Sequence, residues 1–202
     1  MKKSLFMYLA FFLLLGFLAV SSADAAPVQY GSNYYEFVLV STDVYDGTNT
    51  WFADKSAAAS SVYGTMTGHL ATITSQGEND FLYSLVSASY SGQWVGAWLG
   101  GKSPEGWLVG PEAGASFTYI NWGGVEPNND GYAYMNIGDQ GPVSGGQWVD
   151  DSFVQGVPDY WDPVIGYFVE YEGAVPVPEP ATMLLLGLGL VGLARVGRKF
   201  KK

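Results

Sequence analysis

Five of the tryptophans after residue 92, Trp94, Trp98, Trp107, Trp122 and Trp148, are set apart by glycines and turn-forming residues, and no long helical period dominates the segment. They predict short strands joined by long irregular loops after residue 92. Long loops inside a compact domain often carry function, and a metal ion can order loops that have little regular hydrogen bonding of their own. The chain has no cysteine. No disulfide can therefore pin these loops, which leaves packing or metal to do so, and thiol catalysis and zinc-thiolate sites are excluded.

The first half has a different texture. Tyr34–Ser41 alternates and predicts a strand. Residues 51–63 carry Trp51, Ala58 and Val62 among many alanines and predict a helix that ends near Gly64. Residues 69–74 alternate and predict a second strand. Ser75-Gln76-Gly77-Glu78 reads as a capping box, in which Ser75 accepts a first-turn N–H and Glu78 reaches back. Phe81, Leu82, Leu85 and Val86 then form one apolar face of a second helix. No internal repeat is present. The expectation is an α+β domain with two helices, small antiparallel sheets and a binding region built from long loops.

Both ends are apolar. Residues 1–25 read as a signal peptide: Lys2 and Lys3 precede a nearly unbroken apolar run, and Ala23-Asp24-Ala25 is a small-x-small cleavage site. Residues 174–202 comprise a short linker, Val177-Pro178-Glu179-Pro180-Ala181-Thr182, an apolar run and a basic tail that includes Arg195, Arg198, Lys199, Lys201 and Lys202. The apolar run is about 14–16 residues, short against the roughly 20 that span a bilayer. It is expected to form a C-terminal membrane helix before processing, with the basic tail on the cytoplasmic side.

Between these ends about 150 residues remain, enough for one domain with a substantial core. From residue 27 to 178 only Lys55 and Lys102 are basic, against seventeen acidic residues, a net of −15. So acidic a surface repels nucleic acid and anionic membranes, and it suits divalent cations and neutral sugars.

The candidate site lies in Asn121-Trp122-Gly123-Gly124-Val125-Glu126-Pro127-Asn128-Asn129-Asp130, followed by Gly146-Gln147-Trp148-Val149-Asp150-Asp151. Two loops here supply carboxylate and carboxamide oxygens. Such donors suit Ca2+, which takes six to eight oxygens at about 2.3–2.6 Å. The metal candidates are Glu126, Asn128, Asp130 and Asp150; the sugar candidates are Glu126, Asn128 and Asp150. On an extended chain Asp151 points away from Asp150. The same residues also make a plausible polar turn. Asp159, Trp161 and Asp162 stand before the last strand, and nothing in the sequence assigns them a role.

These motifs resemble the C-type lectin-like domains. Glu126-Pro127-Asn128 is similar to their Glu-Pro-Asn motif, and Trp148-Val149-Asp150 to Trp-Asn-Asp. Tyr34-Tyr35-Glu36-Phe37, Thr50-Trp51-Phe52-Ala53, Gly68-His69-Leu70-Ala71-Thr72-Ile73, Glu78-Asn79-Asp80-Phe81-Leu82 and Gly166-Tyr167-Phe168-Val169-Glu170 resemble the flanking elements in order, so the resemblance spans residues 30–173. It implies a C-type lectin-like fold and calcium-assisted binding of mannose- or glucose-type sugars. It also implies a cis bond before Pro127 and structural roles for Trp122, Trp148 and His69. Val149 replaces the family's Asn and cannot coordinate. The loop after Asn129 is short, and Asp130 is the only nearby acid, either in place of the family's Glu or as a turn cap. The tail resembles the PEP-CTERM sorting signal, which implies processing by an exosortase and release or surface attachment.

The expected partners are thus a neutral polysaccharide or glycan and, during export, an exosortase. An enzyme is not expected. Paired carboxylates at about 5–10 Å can hydrolyse glycosides, but the chain has one histidine and no Ser/His/Asp set or phosphate loop. The alternative is a domain of the same fold acting as a structural or protein-contact module of an extracellular matrix, without calcium-dependent sugar binding.

Overall fold

The computed structural model describes residues 26–41, 49–129, 131–141, 143–151 and 164–173. Residues 1–25, expected as a signal peptide, residues 42–48, Asp130, Pro142, residues 152–163 with Asp159, Trp161 and Asp162, and residues 174–202 lie outside them. Among the described residues there are two helices, α1 (Trp51–Ser60) and α2 (Gln76–Tyr90). There are nine strands: β1 (Val28–Tyr30), β2 (Asn33–Leu39), β3 (Val62–Tyr63), β4 (Met66–Leu70), β5 (Gly96–Lys102), β6 (Gly106–Trp107), β7 (Tyr132–Asn136), β8 (Trp148–Asp151) and β9 (Val164–Tyr171).

The strands join into one mixed sheet along the path β1-β2-β9-β5-β7-β8, with β4 also on β9, β3 on β4 and β6 on β5. Every pair is antiparallel except β5 with β9. The small sheets expected from sequence are therefore arms of one sheet, and β9 is its hub. All eight residues of β9 are buried, which explains its almost unbroken apolar run.

Alternation through the central strands builds two cores. Ala97 and Leu99 of β5, Met135 of β7 and Trp148 of β8 pack with Leu82 and Val86 of α2. Trp98, Tyr134 and Val149 face the other way and pack with Trp51 and Ala58 of α1. In β9 the register to β5 slips, from Gly96↔Val164 to Ala97↔Gly166. This bulge puts Val164 and Tyr167 in the second core, and Ile165 and Phe168 in the first. A Cβ at Gly166 would lie 2.1 Å from the Val38 carbonyl oxygen, so β2 can approach only a glycine there.

Several element ends differ from expectation. Helix α1 begins at the Thr50 cap, whose hydroxyl accepts from Ala53 N–H at 3.2 Å, but it stops at Ser60. Ser61 is extended, and Val62–Tyr63 leave the helix to pair with β4, since β-branched and aromatic residues profit more from a ladder. The strand expected over 69–74 ends at Leu70. Beyond it, Thr72 and Thr74 turn their hydroxyls and N–H groups to Glu170 and Glu78. The cap of α2 is half as expected: Ser75 Oγ accepts from Glu78 N–H, whereas the Glu78 carboxylate reaches one residue further back, to Thr74 N–H at 2.7 Å. No helix among the described residues is long and apolar enough to cross a membrane.

Candidate functional site

The loop site stands on Trp148, which is fully buried. Trp107, Phe117, Tyr119 and Trp122 surround it with ring centroids 5.5–6.1 Å away, mostly edge to face. Its indole N–H donates to Asn79 Oδ1 at 2.7 Å. The Asn79 and Asn121 amides both donate to the Gly146 carbonyl, at 3.1 and 2.8 Å. These contacts tie α2, the 121–123 segment and the turn before β8 to one ring.

Segment 121–123 then runs beside β8. Trp148 N–H donates to Asn121 O at 2.8 Å, Gly123 N–H donates to Trp148 O at 3.0 Å, and Trp122 and Trp148 form a parallel bridge. A turn follows, closed by Glu126 N–H to Gly123 O at 2.9 Å. The Glu126–Pro127 bond is cis, and Asn129 sits at φ 67°. Asn129 is a residue type that tolerates this left-handed region, and its Oδ1 accepts from Ser103 Oγ at 2.9 Å.

Across from this turn, Asp150 lies on β8 opposite Ala133 and is 2% exposed. The Asn128 backbone N–H donates to Asp150 Oδ1 at 2.9 Å and lies 3.2 Å from Glu126 Oε2. One N–H thus gathers two carboxylates, one from the loop and one from β8. The structure brings together Glu126, Asn128 and Asp150 of the sequence-derived set; Asp130 lies outside the described residues. Val149 is buried in the second core, on the other face of the strand from Asp150, and Asp151 is partly exposed. Sequence reasoning missed Asn79, Asn121, Asn129 and Ser103 as supports. Their type is common in loops, and only the fold shows what each carboxamide or hydroxyl holds.

A second group of titratable residues lies on β2, β4, β9 and the start of α2. Glu170 is 2% exposed and stands directly across from His69 in the β4–β9 register. Its Oε1 accepts from Asn33 Nδ2 at 2.7 Å and Tyr35 OH at 2.9 Å; its Oε2 accepts from Thr72 N–H at 3.0 Å and lies 3.1 Å from Thr72 Oγ1. Tyr35 OH also lies 2.5 Å from Glu78 Oε1, and Thr72 Oγ1 lies 3.0 Å from Glu112 Oε2. Burial, with the Glu170 charge beside it, pushes the Tyr35 phenol up. Burial also raises Glu170, against the Thr72 N–H that favours its charged form. Glu172 is raised by burial and then by the Glu170 charge. The sequence marked Glu78 only as a cap and His69 only as structural; the alternation of Glu170 and Glu172 along the last strand was the available signal.

One further acid is buried apart from both groups. Asp54, in the first turn of α1, is 3% exposed, and its Oδ2 has no hydrogen-bond partner among the described residues. Burial pushes it up to about 7.

Comparison with known proteins agrees with this architecture. The Ca2+-independent C-type lectin SPL-2 from Saxidomus purpuratus superposes with a TM-score of 0.53 at 20% identity, covering 72% of this chain and 91% of that one. The C-type lectin CEL-I from Cucumaria echinata gives 0.50 at 18% identity, covering 76% and 99%. In sequence, the chain is 31% identical over 159 residues to halomucin from Haloquadratum walsbyi, covering 70% of this chain but only 2% of that protein's length. Residues 176–199 match the PEP-CTERM protein-sorting motif. The described residues thus form a C-type lectin-like fold, and the chain that carries it continues into a PEP-CTERM sorting motif.

Proposed function

We propose that this is an exported carbohydrate-binding module that holds a neutral, mannose- or glucose-type sugar through Ca2+ at Glu126, Asn128, Asp130 and Asp150. The observation that carries the reading is the shared Asn128 N–H, which gathers Glu126 and Asp150 at one point. Oxygen donors converging from a loop and the strand beside it suit a hard cation, and the ion's open positions then accept vicinal hydroxyls. Glu126 accepts and Asn128 donates to the same hydroxyls. With Val149 unable to coordinate, affinity is expected in the weak range of extracellular modules, roughly 10⁻⁴–10⁻³ M.

The sorting motif supports export, processing by an exosortase near Pro178-Glu179-Pro180, and a place at the cell surface or in an extracellular polysaccharide layer. The boundaries at residues 25 and 174 belong to the same proposal. Weak contacts in such a layer add through many copies.

Retention on mannose resin should exceed that on galactose resin and vanish in EDTA. The double exchange Glu126→Gln with Asn128→Asp should shift preference toward galactose. Equal retention on both resins before mutation would remove this sugar reading. A second reading is favoured by the buried Val149: a matrix or protein-contact module without calcium. In that case chelator leaves partner binding unchanged.

A further inference from the structure

Two hydroxyls of the second carboxylate group each lie between two carboxylates. The Tyr35 hydroxyl has one proton and lies against both Glu78 and Glu170. The Thr72 hydroxyl has one proton and lies against both Glu112 and Glu170. His69 is the one basic side chain placed here by contact. Its Nδ1 is 2.9 Å from the Leu70 carbonyl, which can only accept, so Nδ1 carries the proton. In a neutral ring Nε2 is then a bare lone pair. That atom is buried without a hydrogen-bond partner, 3.4 Å from Glu172 Oε1, with the His69 side chain 14% exposed. A lone pair facing a carboxylate needs a positive centre between them.

We propose that His69 Nε2, Glu170 and Glu172 bind a borderline-soft divalent cation, Zn2+ above all, with water completing the site. The ligand atoms of the three lie within 4.8 Å of one another. One imidazole with two carboxylates is a donor set that zinc accepts, at about 2.0–2.2 Å once the side chains close on it. The Nδ1–H bond to a backbone carbonyl is the outer contact that orients a metal-bound histidine. A cation on Glu170 is compatible with the surrounding donors: the Tyr35 hydroxyl can donate to Glu78 and the Thr72 hydroxyl to Glu112, while Glu170 keeps Asn33 Nδ2 and Thr72 N–H. Gly110 roofs the site: it sits at φ 69°, and a Cβ there would come within 2.6 Å of His69 Cε1. This site shares no residue with the loop site and does not depend on sugar binding.

Equilibrium dialysis of the full chain against Zn2+, followed by metal analysis, tests the site. The wild type should retain one Zn2+ per chain, and so should a Glu126→Gln/Asp150→Asn variant. His69→Gln and Glu172→Gln, each removing a direct ligand, should each lose more than the roughly 10–100-fold that removal of an outer contact costs. Glu172 is 26% exposed at the end of β9, so its variant reads the site even if His69→Gln fails to fold. Co2+ in place of Zn2+ should give the visible absorption of a four-coordinate ion, lost in Glu172→Gln. A wild type that retains no Zn2+, or a Glu172→Gln variant that retains as much as wild type, overturns the proposal. A thermal midpoint that follows pH but not Zn2+ does the same, since a proton would then hold the place of the metal.

Discussion

Asp150 and Glu170 are both strand carboxylates at 2% exposure, yet their surroundings differ in kind. Asp150 lies on β8, at one end of the sheet path, and the loop above it hands it the Asn128 N–H. Glu170 lies on the central β9 between β2 and β4, and meets donors from Asn33, Tyr35 and Thr72. A carboxylate at the end of a sheet can serve whatever the next loop brings. A carboxylate at its hub is walled in by ladders and belongs to the core as much as to any site. Burial alone therefore does not separate a binding group from a structural one; the origin of its hydrogen-bond donors does.

The largest effect should come from Glu170→Ala. It strands several donors at once, and one buried unsatisfied group costs about 1–3 kcal/mol. We expect a loss of about 3 kcal/mol or more in urea unfolding, against about 1 kcal/mol for Asp150→Ala, which accepts the Asn128 loop N–H. Equal losses would break the comparison.

Calcium should act on the loop site alone. At a hundredfold excess over Kd a ligand bound only by the folded state stabilises it by about 2.7 kcal/mol. Thermal melts with and without Ca2+ should show the shift in wild type and in Glu172→Gln, and not in Asp150→Asn. An unchanged wild-type midpoint would remove the ion from the loop.

Gly110→Ala should cost about 1–3 kcal/mol, because a side chain there is strained in the left-handed region and meets the His69 ring. Its Ca2+ response should be intact. A lost Ca2+ response would show that the two groups are coupled.

A further effect is the pH dependence, read in chelator. Glu170, Glu172 and Asp54 are all raised by burial, so the fold favours their protonated forms. Their stabilising contribution is complete below the unfolded values, 4.5 for Glu and 3.8 for Asp, and is lost as pH rises; for Asp54 the loss runs through about 7. Melting midpoints between pH 4 and 8 should fall with rising pH, and Asp54→Asn with Glu172→Gln should flatten the curve. A midpoint that rises over that range would contradict the burial account of all three acids.

Much of this was written locally. The Ser75 cap, the apolar face of α2 and the order of motifs from Tyr34 to Glu170 follow from neighbours in sequence. The ends of α1 and of the strand after His69 did not, because Val62, Tyr63, Thr72 and Thr74 take partners from other elements. Glu126, Asn128 and Asp150 were legible as donors, since acid and amide types cluster around a proline and a tryptophan. Their meeting at one N–H was not, since it requires the 121–123 segment to run beside β8.

By itself, then, the sequence determined the α+β class, the acidic and cysteine-free chemistry, and the loop that supplies oxygen donors. Each of these follows from residue type, composition or spacing along the chain. Only the tertiary structure decided that the antiparallel arms share one hub strand, that Glu78 and Glu170 compete for the Tyr35 proton, and that His69 meets Glu172 under Gly110. Those contacts join residues far apart in the chain, and their existence depends on strand register, which no local pattern specifies.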